Sequence, residues 1–575
     1  MQSIWSWVHA LGTLGTMTVS ALPSREQMLG GLRENAESEV LIIGGGINGL
    51  STLRELAHAG VSVALVERND FGSGASAGSS HMIHGGIRYL ENGEIRLVKE
   101  SLQERNRLLD NAAHYVSPLG TTIPIFSTFS GLLSAPLRLL THRAFSTRER
   151  GALLIKVGLI LYDMFGRKKG TLPRHRFWGR KKSLAHYPGM NPGVRYTAHY
   201  SDACVKAPER LALDVLREAL GASAQVHAAH YVEAIGVTDD GVVLRDTDTG
   251  QQWHHRAQVI VNASGPWTDQ TNAGLGKPSS YMGGTKGSHI VLDHPELHDA
   301  CQGQEVFFEN DDGRIVLIFP LLGKVLVGTT DIPIDNPDEA VCTDEEVDYF
   351  FDLVGHVFPG ISLDRSQIVY RYSGVRPLPA AGDVNPGVVS RDYRIVHDTL
   401  GGGQKVVSLV GGKWTTFRAL GEHLAQETLN VIAQSSTYSS VDDPIGGGRG
   451  FPRTPDTRGQ WVESHRGDLP ANRADTLLSR YGTIAAVVLE WLNTHGDTPL
   501  VSLPDYSRQE IEWIIDHEAV WALQDLTHRR TSIAFAGSLP PDALNELATI
   551  LAKRRGWSQA VVAKQIQAAT MGLSV

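Results

Sequence analysis

Gly44, Gly46 and Gly49 form a GxGxxG pattern directly after the apolar run Val40–Ile43 and directly before a helical repeat through Leu50, Leu53, Leu56 and Ala57. Glycines at that spacing allow a tight turn and let backbone close on a pyrophosphate. The helix start behind them offers free N–H groups and a positive dipole end to the anion. Gly60 stops the helix, a second apolar run covers Val61–Val66, and Glu67 follows. An acid there hydrogen-bonds ribose hydroxyls and would repel a 2′-phosphate. Strand, turn, helix, strand and acid in that order predict a dinucleotide site, without separating a flavin from a nicotinamide.

The next residues bear on that choice. Asp70–Tyr89 reads DFGSGASAGSSHMIHGGIRY. Small and hydroxyl residues, Ser76 and Ser80 among them, let backbone lie against a flat ring system and donate hydrogen bonds to it. A nicotinamide dehydrogenase has no ordinary need of such a loop directly after its ribose acid.

The elements that must position these groups occupy a chain of 575 residues, about four domains at roughly 150 residues each. Hydrophobic residues make up 42% and charged residues 20%, an ordinary globular balance. A formal charge of -9 argues against nucleic-acid binding, which calls for a basic excess. Cys204, Cys301 and Cys342 lie far apart, without CxxC or disulfide spacing, which suggests a reducing compartment and three buried fillers. No stretch has the roughly 18 consecutive apolar residues of a membrane span. Residues 1–37 lack both a basic n-region and arginine enrichment, and are expected to be a disordered or loosely packed extension.

Beyond the opening motif, the chain resembles the FAD-dependent glycerol-3-phosphate dehydrogenases. The segments that carry the likeness are GGGINGL (Gly44–Leu50), SSHMIHGGIRYLENGEIRLVKESLQER (Ser79–Arg105), KGSHIVL (Lys286–Leu292), GTTD (Gly328–Asp331), YSGVRPL (Tyr372–Leu378), RDY (Arg391–Tyr393) and GGKWTTFR (Gly411–Arg418). They stand in the family's order from about residue 38 to 430, and a weaker match runs through Asp516–Thr531. The resemblance implies an α/β fold: a Rossmann-like FAD-binding domain of the p-hydroxybenzoate-hydroxylase type, interleaved with a β-sheet substrate domain over residues 38–442, and a C-terminal helical domain over 443–575. VIVNASGPW (Val259–Trp267) looks like one return of the chain to the flavin and GGKWTTFR like the last. A positive helix end at that last turn would stabilise negative charge on reduced flavin.

The site roles carried over by resemblance are specific. FAD contacts fall on Gly44, Gly46, Asn48, Gly49, Glu67, Ser76, Ser80, His81, Gly265, Gly374, Gly412, Lys413, Thr415 and Thr416. Oxidising a secondary alcohol needs a base for the hydroxyl proton and positive charge beside the developing alkoxide. His84 is assigned as base or proton relay, with Arg376 as the clamp and His289 as the competing base. Arg88, Arg391 and Lys413 match positions for the substrate phosphate, which guanidinium forks suit, with Tyr89 as a hydroxyl donor. No metal site is expected. The implied reaction is oxidation of sn-glycerol 3-phosphate to dihydroxyacetone phosphate, with electrons passed to quinone.

Departures keep other substrates open. His81 replaces a lysine, Ala75 and Ala77 replace hydroxyl residues, and Ala203–Glu209 loses acids and gains Lys206. Another phosphorylated polyol, such as erythritol phosphate, therefore stays in view, as do oxygen as acceptor, an NAD-linked dehydrogenase and a non-catalytic flavin binder. Gly151–Phe165 is apolar but too short to span. Arg148, Arg150, Arg167, Lys168, Lys169, Arg174, Arg176, Arg180, Lys181 and Lys182 frame it, a pattern suited to an anionic headgroup surface. The expected location is thus the cytoplasm, peripherally on the cytoplasmic face of the membrane. Gly446–Pro455 reads as a linker into a helical cap through which two copies could pair as a homodimer. His517, Glu518, Asp525 and His528 lack metal-ligand spacing and read as helix-surface polar residues.

Overall fold

The computed structural model describes residues 21–86, 94–127, 152–166, 172–309, 315–380 and 392–573. Its first sheet is the nucleotide-binding one. Strand β1 (Glu37–Ile43) enters it, helix α2 (Ile47–His58) leaves the glycine turn, and β2 (Val63–Glu67) returns beside β1 in parallel, with Val40 opposite Val63. Val40–Ile43 of β1 and Val63–Val66 of β2 are buried, the near-continuous apolar run of strands covered on both faces. α5 (Pro208–Ala222) and α6 (Phe417–Val431) both pack against α2. At Gly49 a Cβ would lie 2.0 Å from the Gly44 carbonyl oxygen, so only glycine lets helix and turn approach this closely.

The sheet is completed by distant segments. β5 (Gln252–Asn262) lies parallel to β1 on its other edge, β9 (Lys405–Val410) parallel to β5, and β8 (Arg394–Thr399) antiparallel to β9. β4 (Val226–His230) adds to β2. The returns expected at Val259–Trp267 and Gly411–Arg418 thus follow two adjacent strands of one sheet. A second sheet carries β3 (Tyr196–Val205), β6 (Thr285–Leu292) and β7 (Ile368–Arg376), with β6 and β7 antiparallel and His289 opposite Tyr372. Helices between Pro455 and Ala569 form a third body around Leu478, Leu489, Ile514 and Leu547. The α/β fold with interleaved sheets and a helical C-terminal domain is therefore observed.

Three expectations are corrected. Residues 21–37 are not loose: α1 (Arg25–Glu34) has a capping box between Ser24 and Gln27 and buries Met28, Leu29 and Leu32 in the nucleotide-domain core. The Gly446–Pro455 stretch begins as a packed thread rather than a free linker. A Cβ at Gly447 would meet the Tyr481 carbonyl at 2.2 Å, and one at Gly448 the Asn111 carbonyl at 2.3 Å. Glu518 and Asp525 are not helix-surface groups; both are fully buried. Arg210 of α5 grips Glu518 in two bonds of 2.7 and 2.8 Å, and Asp525 accepts from Tyr231 and Arg529, each at 2.7 Å.

These carboxylates belong to a polar seam that docks the helical domain on the nucleotide domain. At its centre is Asp70, three residues beyond Glu67. It accepts bonds of 2.6 and 2.8 Å from Arg530 and 2.5 Å from Arg529. Burial pushes the Asp70 carboxyl up, and the two guanidiniums more than offset it, holding the group well below its ordinary range. Asp70, His230 and Asp525 lie close enough to share a cation, but Arg529 and Arg530 already supply positive charge there. Asp70→Asn is expected to lower unfolding free energy by about 3–5 kcal/mol, because the buried guanidinium of Arg530 loses its carboxylate and Arg529 keeps only Asp525. Guanidinium-chloride titration followed by circular dichroism measures it. The contribution is complete above the unfolded aspartate pKa of about 3.9 and fades as pH falls toward the depressed native value.

Candidate functional site

The cradle begins where β1 ends. Gly44 takes φ 115°, and Gly46 caps α2 without a side-chain bond. Glu67 closes the turn: one carboxylate oxygen accepts from the Gly45 amide at 2.7 Å, the other from Asn69 at 2.9 Å. Burial raises the Glu67 pKa, against the pull of those amides. Ser76 reaches back to the Ile47 amide at 3.0 Å, and its carbonyl accepts from the Trp414 indole at 2.9 Å. This places the Ser/Gly loop between the glycine turn and the GGKWTTFR segment.

Two buried atoms there lack a hydrogen-bond partner among the described residues: Asn48 Oδ1 and Thr416 Oγ1. Gly412 lies against Asn48, where a Cβ would come within 2.9 Å of its amide nitrogen. Buried polar atoms cost about 1–3 kcal/mol when left unsatisfied, so this corner is built for a polar ligand. The donors and small residues around it fit a dinucleotide with a flat ring.

Residues 79–86 join the cradle to the second sheet. The His84 amide donates to Thr415 Oγ1 at 3.3 Å, Ser80 Oγ pairs with His289 Nε2 at 2.8 Å, and Tyr372 donates to the Ser79 carbonyl at 2.8 Å. His84 is half-buried at this junction. His289 is buried and stacks on Tyr372 with ring centres 4.9 Å apart. Burial first, then the Arg376 charge, pushes its pKa well below 6.5, so the ring is neutral near pH 7. Its Nδ1 is buried without a partner among the described residues.

Arg376 ends β7. Its guanidinium bonds Asp331 at 3.1 Å and the Thr329 hydroxyl and Thr330 carbonyl at 3.0 Å each. It lies over Gly287, where a Cβ would come within 2.3 Å of Nη2. The GTTD motif thus works as the bracket for this arginine. Asp331 also accepts from Thr285, and Thr330 Oγ1 donates to Glu346 at 2.7 Å.

Other expected residues fall as follows. Lys413 reaches Ser101 Oγ at 2.5 Å. Gly374 packs on Gly78, with a virtual Cβ 2.5 Å from its carbonyl oxygen, and Gly265 takes φ 62° at the end of the β5 return. The His81 ring bonds the Val205 carbonyl at 2.9 Å and tilts against Phe535 of the helical domain. Burial lowers its pKa to about 4, so it does not replace the charge of the family's lysine. Arg88, Tyr89 and Arg391 lie outside the described residues. Asp331, Thr329 and Gly287 were not anticipated as site-builders, although GTTD was visible as a motif.

The comparisons agree with this geometry. A family model described as FAD dependent oxidoreductase matches residues 39–418, and one described as the C-terminal domain of alpha-glycerophosphate oxidase matches 405–562. The chain is 32% identical to a glycerol-3-phosphate dehydrogenase of Synechocystis, covering 93% of this chain and 96% of the relative. It is 31% identical to a D-erythritol 1-phosphate dehydrogenase of Brucella abortus, covering 87% and 95% respectively. A glycerol-3-phosphate dehydrogenase from Bacillus halodurans, solved in complex with FAD, superposes with a TM-score of 0.73 at 21% identity, covering 96% of this chain and 98% of that one.

Asn48→Leu tests the cradle in two directions. The apoprotein should melt no lower than wild type, since an orphaned buried oxygen is removed. FAD affinity should fall about 10- to 100-fold with the lost polar contact. Flavin fluorescence titration and a thermal melt read the two arms.

Proposed function

This chain belongs to the FAD-dependent glycerol-3-phosphate dehydrogenase family, and from that membership we propose that it oxidises a small phosphorylated polyol, sn-glycerol 3-phosphate first, to the corresponding ketone. Identity of 32% along nearly the whole chain carries this reading. FAD, when bound, supplies the acceptor for the hydride that leaves the carbinol carbon. The protein handles the other half of the reaction. His84 takes the hydroxyl proton, and Arg376, aimed by Asp331 and Thr329, offsets charge on the developing alkoxide. His289 is the competing base: it is already neutral at working pH, and Ser80 fixes its Nε2. Arg88, Arg391 and Lys413 hold the phosphate, with Tyr89 donating a hydroxyl.

Erythritol phosphate is the second reading. A 31%-identical relative bears that name, and the neutral, buried His81 leaves the site's rim differently charged from the family's pattern.

Electrons leave to a quinone at an anionic bilayer surface on the cytoplasmic face. Helix α4 (Ala152–Phe165) supports this contact. Leu153, Val157, Ile160, Leu161 and Met164 are 37–59% exposed along one side of it, with Lys156, Arg174, Arg176, Arg180, Lys181 and Lys182 exposed on the same stretch of chain. No helix of the described residues is long and apolar enough to cross a membrane, so contact would be by one apolar face and its cationic surround.

Anaerobic mixing tests the chemistry. Glycerol 3-phosphate should bleach the flavin bands, and unphosphorylated glycerol should not; bleaching by erythritol phosphate alone would move the substrate and keep the mechanism. His84→Ala should slow bleaching by about 10²–10⁴-fold at unchanged flavin content, and a larger loss in His289→Ala would transfer the role. Because His289 stays neutral to well below pH 6.5, it cannot be the source of a wild-type acid limb near pH 6–7.

Vesicle co-sedimentation tests the surface. Binding to phosphatidylserine-containing vesicles should exceed binding to pure phosphatidylcholine, weaken with salt, and be lost in a Leu161→Asp/Met164→Asp variant. Equal binding by that variant would remove α4 from the contact.

A further inference from the structure

The side of α4 turned away from solvent carries an atom that reaches the reacting end of the site. Ile155, Leu159 and Tyr162 are buried there against Val98, Leu102, Ile125 and Tyr200. Apolar packing accounts for the ring of Tyr162, but its hydroxyl is committed elsewhere. It accepts the Gly85 amide at 2.8 Å and donates to Asp202 Oδ1 at 2.5 Å. Gly85 also approaches Asp202 Oδ1 at 3.3 Å, and Arg105 of α3 (Ile95–Asn111) binds that same oxygen at 2.8 Å. Tyr162, Asp202 and Arg105 are all nearly inaccessible, at 3%, 1% and 3% exposure.

Gly85 directly follows His84, so two consecutive amides of this turn are fixed by two different segments. Thr415 of the flavin-side segment takes the His84 amide, and Tyr162 takes the next. The fit at Gly85 is close: an added Cβ would lie 2.5 Å from the Tyr162 hydroxyl and 2.4 Å from Leu102. Burial, then the neighbouring Asp202 charge, raises the Tyr162 pKa well above 10. The phenol therefore keeps its proton, donating to the carboxylate while its lone pair receives the amide.

We propose that Tyr162 is a positioning residue for the oxidation. Its hydroxyl, charge-assisted by Asp202 and Arg105, sets the His84–Gly86 turn and so the aim of His84 toward the substrate hydroxyl. This rests on the polyol phosphate reading above. Tyr162 touches neither substrate nor cofactor in this role. Its effect passes through one backbone amide, and misplacement of a reacting group by an ångström costs about 10²-fold in rate.

The experiment compares full-length holoenzyme with Tyr162→Phe, which keeps the ring and removes the hydroxyl. Flavin content, thermal midpoint, and the rate and substrate dependence of anaerobic bleaching by glycerol 3-phosphate and erythritol phosphate are read for both. The expected result is a bleaching rate about 10- to 100-fold lower, with apparent substrate affinity and flavin content at wild-type values. Asp202→Asn keeps an oxygen that can accept from both Tyr162 and Gly85, and is expected to bleach several-fold faster than Tyr162→Phe. A Tyr162→Phe rate within twofold of wild type would overturn the proposal. So would a loss that merely tracks lost flavin or a folding failure of Tyr162→Phe alone, because either assigns the hydroxyl a structural role. A wild type that no polyol phosphate bleaches would instead overturn the substrate reading, and this inference with it.

Discussion

A single buried carboxylate ties the two ends of the chain together. Asp70 lies just past the acid that closes the nucleotide turn, and its partners Arg529 and Arg530 are some 460 residues away. Removing such charges from water costs several kcal/mol per ion, so the cluster yields little net stability over a well-packed apolar seam. Its effect is selective. With Asp70 fixed just past β2, the helical domain must present Arg529 and Arg530 to it while Glu518 meets Arg210. The Phe71 ring, stacked on His230, extends that fixed contact to the start of the Ser/Gly loop. The cradle and the docked domain therefore share one boundary condition.

From that boundary, order passes to the site mainly through hydrogen bonds to backbone. The Ser/Gly loop is held by Trp414 and by its own reach to Ile47, and residues 79–86 by Tyr372, Thr415 and Tyr162. The side chains proposed for the chemistry are in turn held by neutral or balanced surroundings: His289 is kept uncharged by burial, and Arg376 is held by Asp331. In a low-dielectric site, fixed dipoles of this kind need little reorganisation as charge develops.

The nucleotide half of this fold was legible because its signals are local. The glycine spacing, the apolar strands and the acid at Glu67 lie within thirty residues, and each local preference agrees with the final structure. The two returns, at Val259–Trp267 and Gly411–Arg418, became readable only as family motifs. α1 was missed although Ser24 and Gln27 spell a capping box, since its short apolar stripe is interrupted by Gly30 and Gly31. Glu518 and Asp525 were read as surface groups because acids on an amphipathic helix usually are; Arg529 pairs with Asp525 at ordinary helical spacing, and the partners that bury them, Arg210 and Tyr231, are 308 and 294 positions away. The same holds for Tyr162 and Asp331, whose importance lies in bonds to Gly85 and Arg376, 77 and 45 positions away.

The interleaving of the first sheet also sets an order in time. β1 and β2 emerge early from the ribosome, yet β1's other edge waits for residues 252–262, and β5 for 405–410. Until then the nascent chain carries β1 and β2, joined by β4 on the β2 side, with an open apolar edge at β1, the kind of surface that invites mispairing. Thr415 and Thr416 arrive later still, so the flavin corner is complete only after some four hundred residues have been made. Cofactor capture is thus a late event for this chain, because the corner that would hold flavin forms only after both of those edges have been paired.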